Sequence, residues 1–167
     1  MTLGMSAKIK NRHRLKSKEI KQLIQTLKNR FSSDFFDSSS SVEMGNLEEF
    51  KVILVDNDIA FMIIEDDIVF TLRGLYKYQP KEYFVIVDMG AVGFVTKGAD
   101  VMAPGIVDAD ECIQEHDYVW VCDEKHKKPL AVGIALITGE EMKGKKTGKA
   151  IKNIHFVGDR LWNLSAI

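Results

Sequence analysis

Residues 88–105 carry the residue types best suited to chemistry in this chain, because they combine four glycines and a proline with a single lysine, Lys97. Glycines such as Gly98 and Gly105 can adopt backbone angles that other residues avoid, and they leave the main chain open to close approach. Exposed backbone N–H groups beside Lys97 would suit a phosphate or a sugar–phosphate chain. Two tight turns that join a short helix to a strand would explain the same residues without any ligand.

The segment Phe94–Ile106, with the sequence FVTKGADVMAPGI, resembles the signature of the PUA domain, which is named for pseudouridine synthases and archaeosine transglycosylases. The similarity continues through Leu130–Ala135 and Asn153–Phe156, with Asp159–Trp162 behind it. Over about residues 15–165, the chain is similar to a group of small translation-associated PUA proteins. Eukaryotic members of that group are the malignant T-cell-amplified sequence proteins, and archaea have short relatives. In the first half of the chain the similarity rests on a helix, a meander and the residues just before Lys81.

This resemblance implies a noncatalytic RNA-binding protein that contacts structured RNA, either tRNA or the rRNA of the small ribosomal subunit, through its PUA domain. It also implies that the N-terminal domain can engage a protein partner. Backbone amides over 97–105 are expected to contact the sugar–phosphate chain, and lysines 145–152 to widen the positive surface. The residues expected to bind RNA are Lys97, Gly98, Ala99, Asp100, Met102, Pro104, Gly105, Lys145, Lys146, Lys149 and Lys152.

The net charge of −1 conceals a strong asymmetry along the chain. Residues 1–30 hold nine Lys or Arg against one acid, Glu19, which gives +8 and leaves −9 for the remainder. Such segregation favours an anionic partner for the basic end, and a solvated, fraying terminus is the alternative. The sequence therefore predicts a basic N-terminal tail with a secondary basic patch at Lys10, Arg12, Arg14 and Lys16.

Five further lysines lie within residues 143–152, which contain no acid. Gly139, Gly144 and Lys145 nearly match a phosphate-binding Walker loop, but Thr147 comes one position too late to hold magnesium. A strand-like segment follows, where that motif requires a helix, so nucleotide hydrolysis is not supported. The segment is predicted to be a basic loop that clamps phosphate beside the glycine-rich surface, or else a mobile solvated loop.

Neither a metal site nor a catalytic set emerges from the remaining residues. Cys112, His116, Cys122 and His126 superficially suggest zinc. However, a strand over 117–123 would place His116 and Cys122 about 20 Å apart, whereas zinc ligands lie ~2.0–2.3 Å from one ion. The serines lack the context of a nucleophile, and no acid is paired with a base. We therefore expect no cofactor, no metal and no enzymatic activity.

The elements that must position these residues divide into two groups. Apolar residues spaced as Ile20, Leu23, Leu27 and Phe31 predict a helix, with Ser17 as its N-cap. A meander follows, with strands over 51–55, 59–64 and 68–72 and turns at 56–58 and 65–67, and a short turn or helix over 73–78. The best boundary lies at 79–81, which gives an N-terminal domain over 1–80 and a PUA domain over 81–167.

The sequence of the second half predicts a strand over 83–87, a short helix over 90–97 and a strand over 101–106. An acidic loop over 107–117, strands over 118–123 and 129–138, a basic loop over 139–152 and a last strand over 153–164 complete it. Short strands with one small helix indicate a partly closed barrel. The predicted fold class is thus α+β, a helix-plus-antiparallel-meander domain packed on a C-terminal PUA β pseudo-barrel.

Composition agrees with a chain that stays in the cytoplasm. The hydrophobic fraction of 46% is sufficient for a core. No segment predicts an export signal or a membrane span, and the two cysteines are most simply reduced thiols. Two alternatives to a translation-associated RNA-binding factor stay open. One is an accessory subunit that delivers RNA to a separate modification enzyme, and the other is a protein-interaction module whose glycines are only structural.

Overall fold

Helix α1 covers Ser17–Phe31 and buries the predicted apolar stripe. The structure, a computed structural model, describes residues 8–166. The predicted N-cap is off by one residue, because Ser17 is the first helical residue and Lys16 precedes the helix. The backbone N–H of Lys16 donates to Glu19 Oε1 at 2.9 Å, which satisfies one of the groups left open at a helix start. Ser32 ends the helix with a φ of 52°.

The antiparallel meander that follows α1 is confirmed, and it is larger than predicted. Each hairpin turn after β3 and β4 has two residues of positive φ, Asp56 and Asn57 in one and Glu65 and Asp66 in the other. That geometry matches the right-handed twist of the strands on either side. Five strands pair in sequence order: β1 (Ile9–Arg14), β2 (Val42–Leu47), β3 (Phe50–Val55), β4 (Asp58–Ile64) and β5 (Asp67–Phe70).

Strand β1 replaces the tail that the sequence predicts, at least over the described residues. It pairs antiparallel with β2, and the register shifts between Lys10 and His13, where Asn11 has a φ of 55°. β1 passes so close to Gly45 that a Cβ atom at position 45 would clash with Cγ2 of Ile9. Residues 1–7, the first part of the predicted tail, lie outside the described residues.

Aromatic side chains fill the centre of this first group of elements. The ring of Phe61 lies 4.8 Å from that of Phe70 between centroids, and Phe70 lies 5.1 Å from Phe31 of α1. Helix α2 (Leu72–Tyr78), which the sequence leaves open as a turn or helix, adds Tyr78 to the same cluster. Edge-to-face and tilted pairs of this kind stabilise the fold beyond the effect of burying apolar area.

The second half forms a curled, mixed half-barrel, which confirms the partly closed barrel predicted from the sequence. Its sheet order is β7-β11-β10-β9-β6-β8, in which β6 and β9 run parallel and the other neighbours run antiparallel. The elements are β6 (Phe84–Val87), α3 (Met89–Val95), β7 (Val101–Met102), β8 (Ile106–Ala109), β9 (Tyr118–Asp123), β10 (Pro129–Ala135), α4 (Gly139–Gly144), β11 (Lys149–Phe156) and α5 (Arg160–Leu164).

Several boundaries in this half differ from the predictions, and β8 occupies the first residues of the loop predicted over 107–117. The strand predicted over 101–106 is interrupted by a 3-10 turn, Ala103–Gly105, because Pro104 has no N–H to donate to a ladder. The basic loop predicted over 139–152 is wrong at both ends, since α4 opens it and β11 begins at Lys149. The last strand ends at Phe156 rather than at residue 164, and α5 follows it.

The chain divides into two compact units. The first unit contains residues up to Pro80 together with the segment that begins at Asn163, and the second contains Lys81–Trp162. The sequence predicts one domain over 81–167. In the structure, the segment that begins at Asn163 belongs to the first unit instead. Among the described residues, no helix combines the length and the apolar character that crossing a bilayer requires.

Candidate nucleic-acid interface

Helix α3 fixes one side of the glycine-rich segment. Its N-cap is Asp88, whose carboxylate accepts a hydrogen bond from the N–H of Ala91 at 2.9 Å. The N–H of Asp88 donates to the carbonyl of Gly105 at 2.9 Å, which joins the start of the helix to the end of the 3-10 turn. The segment 88–105 therefore closes on itself, and Gly105 does not use the conformational freedom of glycine, since its φ is not positive.

The loop after α3 uses its backbone donors internally. The N–H groups of Lys97 and Ala99 donate to the carbonyl of Phe94 at 3.1 Å, and that of Gly98 donates to Val95 at 3.0 Å. The N–H of Ala103 donates to Gly148 in the loop before β11 at 2.9 Å. These four amides have acceptors within the chain, so the predicted contact between backbone amides and a phosphate stays a prediction, and we expect side chains to contribute to recognition at this surface.

Gly98 has a packing role that the sequence does not reveal. Its φ is +94°, and a Cβ atom there would lie 2.8 Å from the ring of Phe156. The missing side chain thus allows the loop to lie against β11, whereas the sequence suggested that it keeps the main chain open to a ligand. The same contact fixes the position of Lys97, which precedes Gly98 and is exposed.

A substitution pair can test that role. Gly98→Ala is expected to destabilise the protein by about 1–3 kcal/mol, because alanine must adopt a strained φ and displace Phe156. Gly93→Ala lies in α3 with nothing within 4 Å of the new Cβ, and it should stabilise the helix by up to about 1 kcal/mol. Urea unfolding followed by tryptophan fluorescence measures both, and an unchanged Gly98→Ala variant would contradict the packing role.

Asn153 of β11 holds the loop from the other side. Its Nδ2 donates to the carbonyls of Val95 at 3.1 Å and Ala99 at 3.0 Å. Its backbone N–H donates to Asp100 Oδ1 at 2.9 Å. Sequence analysis did not single out Asn153 as a site residue. The resemblance ends on it, but only the fold shows that its amide positions the loop.

Asp100 has an electrostatic role that differs from the predicted contact with RNA. Its carboxylate accepts the Asn153 N–H and pairs with Lys149 Nζ at 3.2 Å. The backbone hydrogen bond, followed by the lysines of β11, lowers the pKa of Asp100 despite partial burial. The carboxylate is therefore charged at neutral pH and orients Lys149, while its predicted contact with RNA stays a prediction.

A cavity of about 510 Å³ lies between α3, β7 and the start of β11. It brings together Lys149 with five other predicted residues and adds Phe94, which was not predicted. The predicted residues that line it are Ala99, Asp100, Met102, Pro104, Gly105 and Lys149. The predicted residues that do not line it are Lys97, Gly98, Lys145, Lys146 and Lys152.

The rim of this cavity is apolar and exposed. Phe94 is 70% exposed and Met102 is 47% exposed, and both line the cavity. Helix α3 has the sequence MGAVGFV, yet it buries only Val95. A short helix that is apolar on all sides cannot bury every side chain, and that pattern could have indicated Phe94 from the sequence. Exposed apolar rings beside a cavity mark a binding surface.

The lysines around the cavity differ in their availability. Lys143 pairs with Glu111, and Lys149 pairs with Asp100. Lys145 and Lys146 lie in the exposed loop between α4 and β11. Lys97, Lys145, Lys146 and Lys152 form no ion pair with any residue in the range 8–166. The four lysines without an ion pair therefore do not line the cavity.

The first unit has a cavity of its own, of about 440 Å³, lined by Asp58, Arg73 and Lys77 among others. Lys77 Nζ pairs with Asp58 Oδ2 at 2.7 Å, and Arg73 Nε donates to Ser165 Oγ at 3.5 Å. Side-chain oxygens of the same unit therefore already bind both Lys77 and Arg73. An anion would have to displace these contacts, so we do not assign binding to this cavity.

The cysteines and histidines considered for zinc do not converge in the part of the chain described here. Cys112 is exposed and Cys122 is buried in β9. Burial raises the pKa of the Cys122 thiol to about 12, which keeps it protonated at neutral pH. Within residues 8–166, no group of three His, Cys, Asp or Glu side chains could hold a metal ion.

Comparison with known families matches both halves of the chain. The model of the PUA domain matches residues 83–157, and a model described as a domain of unknown function, DUF1947, matches residues 11–78. The first match covers α3, the cavity and the strands that support it.

Three known proteins are similar over most of the chain. An uncharacterised protein of Methanocaldococcus jannaschii is 46% identical over 157 residues, which cover 93% of this chain and 97% of that protein. Translation machinery-associated protein 20 of Eremothecium gossypii is 29% identical over 126 residues, 72% of this chain and 70% of that protein. The crystal structure of a hypothetical protein from Pyrococcus horikoshii matches with a TM-score of 0.84 and 38% identity, and covers 93% of this chain and 99% of that one.

Proposed function

The chain belongs to the translation-associated group of PUA-domain proteins, with a DUF1947 domain before the PUA domain, and from that premise we propose that it is a noncatalytic RNA-binding factor. The PUA domain is an RNA-binding fold, and relatives of this chain carry the name translation machinery-associated protein. We propose tRNA or the small ribosomal subunit as its target, and the cytoplasm as the compartment in which it acts.

The observation that carries this proposal is the cavity beside α3, because its chemistry suits an unpaired nucleotide. Phe94 and Met102 offer exposed apolar surface at the rim, and bases that leave a stack bind to such surfaces. Lys149 reaches the same cavity, held by Asp100. Lysines outside the rim then meet the phosphates on either side of the bound nucleotide.

The carboxylates of the cavity support the proposal of a binding role. Asp88 caps α3 and Asp100 pairs with Lys149, so both carboxylates that line the cavity have structural partners. A general acid or base would instead need access to a reacting group at hydrogen-bonding distance. We propose that recognition is the whole function of this surface.

The direct test is binding of the full chain to bulk tRNA and to small ribosomal subunits at two salt concentrations. Saturable binding that weakens as salt is added is expected, because phosphate contacts release counterions. Failure to bind either target at low salt would contradict the proposed function.

The lysines around the cavity give a second prediction. Replacing Lys97, Lys145, Lys146 and Lys152 by glutamine should lower tRNA affinity about tenfold at low salt. It should also reduce the slope of log K against log salt by roughly 0.7–0.9 for each lysine that contacts a phosphate. Stability should change little, because exposed charges contribute little to it.

A matched control removes four charges elsewhere. Lys51, Lys81, Lys125 and Lys128 are exposed, lie outside the cavity rim and form no ion pair within the described part of the chain. Their replacement by glutamine changes the net charge equally. If this control lost as much affinity as the first variant, the effect would belong to net charge and not to the surface around the cavity.

A further inference from the structure

The charged side chains that line the cavity beside α3 do not suit a phosphate in its interior. Within the described part of the chain they are Asp88, Asp100 and Lys149, and the other lining residues are apolar or glycine. Lys149 already pairs with Asp100 at 3.2 Å. Two carboxylates and one ammonium group give the lining a formal charge of −1. A phosphate is repelled by such a lining, so the base is the part of a nucleotide that fits inside.

Asp88 has one carboxylate oxygen in use and one available. Its Oδ1 accepts the N–H of Ala91 at 2.9 Å, whereas its Oδ2 has no hydrogen bond or ion pair with any residue in the range 8–166. In that range, Asn153 Oδ1 is the side-chain atom that is buried without a partner, so Asp88 Oδ2 is within reach of solvent and of a ligand. A carboxylate oxygen accepts hydrogen bonds and donates none, so it requires an N–H or O–H of the ligand.

The position of Asp88 is fixed from two sides. Its backbone N–H donates to the carbonyl of Gly105 at 2.9 Å, and its Oδ1 is held by the first turn of α3. A group that is already in place loses little conformational entropy when it binds a ligand. The free oxygen of Asp88 is therefore a preorganised acceptor at the cavity wall.

We propose that Asp88 is a specificity-determining residue, which accepts a hydrogen bond from the amino group on the edge of a base in the cavity. This rests on the proposed function, because it takes the cavity as an RNA site, and it adds which bases the site prefers. Cytosine, adenine and guanine carry an amino group that donates, and Asp side chains accept from N4 of cytosine. Uracil has the acceptor O4 at that position, so two acceptors would face each other with no hydrogen between them.

The rest of the cavity does not distinguish cytosine from uracil. Phe94 and Met102 offer apolar surface to either base, because every base has a π face that can stack. Asp100 has both carboxylate oxygens engaged, one by the N–H of Asn153 and the other by Lys149. Asp88 is thus the carboxylate of the lining that has a free oxygen for the base edge.

The test compares oligocytidine with oligouridine of equal length at neutral pH, because the two differ only at the edge of the base. Fluorescence anisotropy measures both affinities for the full chain. The unmodified chain should bind oligocytidine about tenfold more tightly, as expected for one charge-assisted hydrogen bond. Circular dichroism checks that each variant remains folded.

Asp88→Asn should remove the preference and shift it towards oligouridine. Asparagine is a good N-cap, so its oxygen still accepts from Ala91 and an NH₂ group takes the place of Oδ2. That NH₂ group donates to O4 of uracil. Asp88→Ser also caps the helix, but it offers no group at the position of Oδ2, so the two oligonucleotides should then bind equally.

Asp108→Asn is the matched control for charge. Its carboxylate accepts the N–H of the adjacent Ala109, and Asp108 does not line the cavity. Loss of one negative charge changes the affinity for both oligonucleotides alike, so the ratio of the two affinities reports on the base edge. Asp108→Asn should therefore keep the ratio of the unmodified chain.

Two results would overturn the role of Asp88. One is equal affinity of the unmodified chain for oligocytidine and oligouridine. The other is a ratio in Asp88→Asn that matches the ratio in Asp108→Asn. A chain that binds neither oligonucleotide, nor bulk tRNA, nor small ribosomal subunits would contradict the proposed function itself and this inference with it. Failure of the base preference alone leaves binding of RNA intact, so the two failures can be told apart.

Discussion

Replacing Phe94 by alanine is expected to weaken binding of a single-stranded oligoribonucleotide by roughly 5- to 150-fold, because stacking of one base on an aromatic ring contributes ~1–3 kcal/mol. The ring is 70% exposed and lines the cavity beside α3. Its loss removes little buried area, so the free energy of unfolding should change by less than about 0.5 kcal/mol. Fluorescence anisotropy with a labelled oligonucleotide measures the affinity.

Val107 offers a matched control for Phe94. It is 55% exposed in β8 of the same unit, and it does not line the cavity. Val107→Ala should leave the affinity unchanged, whereas Phe94→Trp should retain it, since a second aromatic ring still stacks. Equal losses in Phe94→Ala and Val107→Ala would show that exposed apolar area, and not a stacking site, controls the affinity.

Replacing Asp159 by alanine is expected to destabilise the second unit by about 3 kcal/mol. The Asp159 carboxylate lies 2.9 Å from His155 Nδ1 and accepts the N–H groups of Phe156 at 2.9 Å and Trp162 at 2.8 Å. His155 is 1% exposed. Removal of the carboxylate takes away the group that the N–H groups of Phe156 and Trp162 and the His155 ring share at the junction of β11 and α5.

The same contacts make this stabilisation depend on pH. Burial alone would raise the pKa of Asp159, but the hydrogen bonds from His155, Trp162 and Phe156 outweigh it and lower the pKa. A carboxyl whose folded pKa lies below its unfolded value stabilises the fold fully above the unfolded value, near pH 4. The difference in unfolding free energy between the unmodified chain and Asp159→Ala should therefore be constant near neutrality and shrink below about pH 4.

Tryptophan fluorescence suits this measurement, because both tryptophans, Trp120 and Trp162, lie in the second unit. Asp108→Ala is the control, since its carboxylate accepts the N–H of the adjacent Ala109, and its loss should cost less than about 0.5 kcal/mol. A difference between the Asp159 variant and the unmodified chain that stays the same from pH 7 to about pH 3 would contradict the assigned role of the carboxylate.

The elements that the sequence predicts well are those with an apolar period. Helix α1 is predictable because its buried residues repeat at helical spacing, and β9 because it is a compact apolar run. Strand β1 has no such period, since every side chain after Ile9 is exposed and the strand depends on its ladder and on the hydrogen bonds that Arg12 donates to Glu43. Helix α4 could have been predicted, because Thr138 and Glu141 have the spacing of a capping box. The lysines that follow suggested a loop instead.

The candidate site was predictable only in part, for a reason of topology. Glycine, proline and lysine mark the segment 88–105 in the sequence. The contribution of Lys149 depends on the pairing of β11 with β7, which places Lys149 opposite Met102. The role of Asn153 depends on the same pairing, and Gly98 could be understood only once Phe156 was seen against it.

The pairing of β7 with β11 also has a consequence for biosynthesis. During translation, the segment 88–105 leaves the ribosome well before 149–156, and without β11 it lacks Lys149, the amide clamp of Asn153 and the ring of Phe156. Contacts between residues distant in sequence form late, because the chain between them must first be closed into a loop. A nascent chain thus lacks the complete cavity until β11 has emerged and paired, so the order of synthesis delays the binding that we propose for this cavity until the half-barrel is closed.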